Sequence, residues 1–143
     1  MKVLKISQDL KNLINNLIDE RINNINSNIM TVGWADRLNI QTTAEQTIIS
    51  ITLNKGLYLF VTNIPINYAG NSGREINTKL LLNNTLIDFT TGVCNTYVWT
   101  LARPIVKIIN VTTDNSNLQL NIFSSTTSRY DIAGQSAQIL RLK

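Results

Sequence analysis

Three observations predict a mainly β chain, an antiparallel β-sandwich carrying an N-terminal α-helical segment. Ile18, Ile22, Ile25 and Ile29 recur at 4-3-4 spacing within an Asn-rich run, which lays them on one narrow stripe of a helix. Beyond Gly33 no helical period returns, and short apolar runs rich in Ile, Val, Thr, Tyr and Leu alternate with turn residues. Some of those runs, Leu57-Tyr58-Leu59-Phe60-Val61 above all, are apolar on both faces.

The helix is expected over residues 8–30, on the order of 35 Å long at ~1.5 Å per residue. So thin a stripe cannot cover a core, but it suits the seam of a coiled coil, and Ile at both seam positions favours three or more strands over two. Ile6 and Leu10 continue the seam backwards. A strict heptad would bury Asn15 and Lys11, so the register is expected to shift between Leu13 and Ile18. Asn23, Asn24, Asn26 and Asn28 are weak helix formers, so assembly has to stabilise this helix.

Strands are expected at residues 34–41, 46–53, 57–68, 76–89, 96–110, 117–124 and 136–142. Asn54-Lys55-Gly56 reads as a tight hairpin in which Gly56 takes a positive φ. Pro104 cannot donate to a ladder, so its strand must be bent, bulged or at an edge. A small antiparallel sheet that is apolar on both faces needs a second cover, and another subunit is the expected one. Tyr58 and Phe60 therefore join Ile18, Ile22, Ile25 and Ile29 as expected trimerisation residues, with residues 1–31 as stalk and 32–143 as head.

Composition narrows the function. The chain has 143 residues, enough for one compact core beside the helix. With no histidine and a single cysteine, Cys94, it lacks the usual general base and metal ligand and any internal disulfide, so neither an enzyme, a metal nor a cofactor is expected. The net charge of +4 is spread thinly from Lys2 to Lys143, a pattern that does not suit nucleic acid. No apolar run approaches the ~20 residues of a bilayer span, and the Met1 end lacks a signal-peptide block, so membrane insertion is not expected.

A saccharide site wants an aromatic platform ringed by amides, carboxylates or guanidinium groups. Three clusters offer this composition: Trp34, Asp36 and Arg37 just above the stalk; Tyr68, Asn71 and Arg74 in a Gly-rich loop; and Arg129, Tyr130 and Asp131 in the last loop. Asp114-Asn115-Ser116 reads as a plain Asx turn rather than a calcium loop.

The order of features, a short coiled coil and then the Lys55-Gly56-Leu57-Tyr58 strand entry and the closing Ile139-Leu140-Arg141-Leu142, resembles the C1q/TNF-like trimeric jelly-roll domains. The likeness is to those carried by bacteriophage head and fibre proteins. It implies a jelly-roll head on a stalk, a homotrimer at the surface of a phage particle. Such a protein is made in the host cytoplasm and attached to other virion proteins through its N-terminal segment. Its head would bind a host cell-surface glycan. A purely structural fibre, decoration or adaptor protein is the first alternative, and a secreted ligand of the same superfamily the second.

Overall fold

The structure, a computed structural model, describes residues 8–68, 74–94, 101–127 and 129–143. Helix α1 spans Gln8–Ser27. Asn28 closes it by donating its side-chain amide to the carbonyl of Asn24 at 2.9 Å. Ten strands follow: β1 (Ile29–Trp34), β2 (Arg37–Ile40), β3 (Gln46–Leu53), β4 (Gly56–Tyr68), β5 (Arg74–Leu82), β6 (Thr85–Cys94), β7 (Leu101–Val111), β8 (Ser116–Ser124), β9 (Tyr130–Ile132) and β10 (Gln135–Arg141).

They form two antiparallel sheets. In the first, β1, β10, β4 and β7 are neighbours, and β2 and β9 extend the β1 and β10 side along the second half of β4. In the second the order is β3, β8, β5, β6. Strands adjacent in sequence thus repeatedly fall in opposite sheets, the paired Greek-key topology of a jelly roll.

Strands β1 and β2, and likewise β9 and β10, are one strand interrupted at a shared corner, so the β1–β10 ladder continues as the β2–β9 ladder. Gly134 donates its N–H to the Asp36 carboxylate there. A Cβ on Gly134 would lie 2.9 Å from the Trp34 carbonyl oxygen, so only glycine fits the corner.

Four expectations need correction. The helix stops before Ile29, because residues 29–34 pair in full register with β10, and those ladder bonds outweigh helical spacing. Ile29 is therefore a strand residue rather than part of the helical stripe. Asn54-Lys55-Gly56 is not a hairpin: β3 and β4 belong to different sheets, and no glycine among the described residues has a positive φ. The connection arches over the end of the sandwich, where the Lys55 N–H donates to Asp114 in the parallel arch between β7 and β8. Gly56 is needed for space instead, since a Cβ would meet the Lys143 carbonyl oxygen at 2.7 Å.

The third correction is that residues 76–89 are a hairpin, not one strand. Asn83 and Asn84 turn it with φ of 50° and 64°, the left-handed pair of a two-residue hairpin loop. Asn83 is held by the second arch, accepting from the Asn117 N–H at 2.8 Å and donating to Ser116 Oγ at 3.1 Å.

The fourth concerns Tyr58 and Phe60, which face inward. Phe60 is 0% exposed, packed with Ile49, Leu120, Ile122 and Ile139 in the core between the sheets. They cannot serve as subunit contacts, because alternation along β4 gives the outer face to Leu57, Leu59 and Val61. Pro104 sits on β7, which among the described residues pairs with β4 alone and so is an edge, where its missing N–H is tolerated. Lys107, also on β7, reaches across to Asp88 on β6 at 2.9 Å and bridges the two sheets along that edge.

Candidate functional site

The sandwich offers three surfaces with more than solvating chemistry. The first is the outer face of the first sheet. Its register aligns Ile29, Leu140, Leu59 and Ile108 in one row across four strands, with Val61 and Val106 opposite each other in the next. Ile108 is 63% exposed and Val106 66%. Along α1, Leu10, Leu13, Ile14, Leu17, Ile18 and Ile22 are likewise exposed. An apolar row at mid-sheet and an apolar helix stripe, both in water, are surfaces that need a partner.

The second surface is the end of the sandwich away from the helix. Strand β4 starts beside the helix junction and runs to Tyr68 at this end, where it pairs with β9. The start of β5 and the end of β8 meet here, and the Ser125 N–H donates to the Glu75 carbonyl at 3.0 Å. The described members of the sequence-derived clusters lie toward this end, since β1 carries Trp34 seven residues beyond the helix end at Ser27.

Trp34 and Tyr130 are not platforms. Trp34 is buried, its indole donating to the Ala133 carbonyl at 3.0 Å. Tyr130 is fully buried, and burial pushes its phenol up to about 12 against the opposing pull of Arg37. Asp36 is engaged at the corner, and Arg37 donates to the Thr47 carbonyl at 2.8 Å. Arg129 stays exposed, 3.7 Å from Asp131. Asn71 and the side chains of Ile25, Tyr68 and Arg74 lie outside the described residues.

The third surface, missed in sequence, is the outer face of the second sheet. Thr47, Asn121, Lys79 and Phe89 share one register row across its four strands, and Phe123, Asn77 and Thr91 share the next. Glu45, just before β3, pairs with Lys79 and accepts from Asn121 Nδ2 at 3.0 Å. The Lys79 hydrogen bond, then that of Asn121, holds the Glu45 carboxyl below its usual range. The Lys79 ammonium stands 4.8 Å from the centre of the Phe123 ring. No local motif signals this group, because its members come from four strands far apart in sequence.

No protein-family model matches the chain, and no curated protein is significantly similar to it. Solved structures do match. A structure of infectious bursal disease virus, Gt strain, superposes with a TM-score of 0.56 over 79% of this chain and 33% of that one, at 13% identity. The VP2 subviral particle of the same virus gives 0.56 at 12% identity, over 79% and 32%. The T13 viral particle gives 0.55 at 11% identity, over 80% and 31%. The fold is a β-sandwich of the kind those viral structures contain. The chain spans about a third of the length of these structures, and at such identities the likeness extends to fold alone.

Among the described residues no three His, Cys, Asp or Glu side chains gather closely enough to hold a metal ion, and no helix is long and apolar enough to cross a membrane.

Proposed function

We propose that the chain is a virion component, a phage fibre or head-fibre subunit. It assembles as a homotrimer through its helix and the outer face of its first sheet, and displays a head that binds a host surface saccharide. One observation carries this reading: the apolar row across the first sheet and the stripe along α1 are both left in water by a single chain. Identical neighbours around an axis can cover both at once, and Ile at the seam favours three. Binding is multivalent. Three weak sites on one assembly raise effective concentration, so millimolar contacts together become a firm grip.

A purely structural role is the second reading, favoured by one feature. Beside the helix junction lies an open cleft of about 570 Å³ whose apolar wall, Leu57 and Val111, is flanked by Lys55, Arg141 and Lys143. Such a cleft suits an acidic segment of another virion protein.

Light scattering tests the oligomer. The full chain is expected at about three times its 16.1 kDa mass, and the double variant I18N/I22N at a lower mass. A monomeric full chain contradicts the proposal.

A further inference from the structure

We infer that the outer face of the second sheet, around Phe89 and Phe123, is a binding site for a neutral pyranose. The inference rests on the saccharide half of the reading above and moves the site from the far-end loops to a sheet face.

Phe89 is on β6 and Phe123 on β8, with β5 between them. Strand spacing alone would separate their backbones by about 9.5 Å. The ring centres are only 6.4 Å apart, inclined at 38°. Both rings therefore lean over β5 and form one ridge, of which Phe89, 48% exposed, is the open part. Two phenyl rings left partly in water beside Lys79, Asn121, Asn77 and Thr91 are costly.

The polar groups beside the ridge are built rather than scattered. Asn121 is only 7% exposed, and Glu45 fixes its orientation by accepting from its Nδ2. Its Oδ1, buried, has no hydrogen-bond partner. An orphan acceptor of this kind costs stability until a donor reaches it. On the same face Asn77 Oδ1 accepts from Thr91 at 2.8 Å.

A pyranose matches this pairing of groups. Its C–H face lies against the phenyl ridge, and its hydroxyls both donate and accept. One hydroxyl beside Asn121 donates to the orphan Oδ1, and its neighbour donates to the Glu45 carboxylate. Neutrality follows from the charges. Glu45 and Lys79 offset each other, so an anionic sugar meets the carboxylate and a cationic one meets the ammonium.

The test uses the full chain, isotope-labelled, with amide shifts followed by NMR. Methyl glycosides of glucose, galactose and mannose and of N-acetylglucosamine are titrated to about 100 mM, a range suited to millimolar affinity. Sorbitol, which has the hydroxyls without the ring face, is the control. The expected result is saturable shifts at residues 77, 79, 89, 121 and 123 with at least one pyranoside and none with sorbitol. F89A and E45Q should each weaken binding about tenfold while the thermal midpoint holds.

Shifts confined to residues 125–131 would remove this site and leave the saccharide reading standing. An equal response to sorbitol, or no saturable shift with any pyranoside, overturns the inference. The latter also removes the saccharide half of the proposed function, whereas the oligomer is judged separately by its mass.

Discussion

Replacing Ile108 and Val106 together by lysine is expected to dissociate the proposed oligomer while leaving each sandwich folded. Both side chains point away from the core, at 63% and 66% exposure, so neither contributes much to the packing of its own chain. Their apolar area left in water is roughly 100 Å² each, and covering it at about 25 cal/mol/Å² contributes ~5 kcal/mol per subunit. Half-complete cover still gives ~2.5 kcal/mol, a loss of at least about fiftyfold in association when it is removed. The lysines add like-charge repulsion where copies approach. Molar mass by light scattering across a concentration series, paired with thermal melting by circular dichroism, reads both effects. If the double variant keeps the wild-type mass down to the lowest concentration, the outer face of the first sheet is not the interface and the reasoning fails.

Three further sites carry expected outcomes. Tyr130→Phe is expected to stabilise the fold by about 1 kcal/mol in chemical denaturation, because the buried hydroxyl has no partner and an orphaned polar group costs about that much or more. The same variant changes the alkaline limb. The phenol, raised from 10.0 to about 12 in the folded chain, favours its neutral form there, so wild type holds this stability below pH 10 and loses it between 10 and 12; the Phe variant should lack that loss. Gly134→Ala should cost about 1–3 kcal/mol, since its Cβ meets backbone atoms of Trp34 and Asp36 that cannot move without breaking the corner. Asn84→Val should cost about 1–2 kcal/mol and Asn84→Gly should be neutral or slightly stabilising, because φ of 64° penalises a β-branched residue and not glycine.

Much of the fold was legible in local signals. The expected strands at 46–53 and 117–124 match β3 and β8 within a residue, because each alternates apolar and polar side chains and ends at turn residues. Pro104 announced its edge. The errors share one cause, which is that pairing partners are distant in sequence. Ile29 keeps a helical interval from Ile25, yet β10, a hundred residues later, draws it into a sheet. Asn54-Lys55-Gly56 carries hairpin chemistry, but its strands find partners in opposite sheets. The Asn83-Asn84 turn was readable in principle, since asparagine tolerates the left-handed region, but it was hidden inside a continuous apolar run.

The candidate-site residues were less legible than the strands. Aromatic-plus-charge composition drew attention to Trp34 and Tyr130, and both turned out to be core residues whose polar atoms face inward. The Phe89 and Phe123 face could not be read because its members meet only through register. Leu57-Val61 was read correctly as apolar on both sides, with the inner and outer faces exchanged: Tyr58 and Phe60 are the interior set, and Leu59 and Val61 the exterior one.

Only Asn28 separates helix from strand, and its carbonyl is clamped by the Arg141 N–H at 2.9 Å. The joint therefore lacks the slack of a flexible leash. Torque applied to the helix passes straight into the ladder of β1 with β10. Heads mounted this way would share one fixed bearing instead of swivelling independently. A target lattice that matched their spacing would then be gripped with little orientational freedom left to lose, and one that did not match would be released.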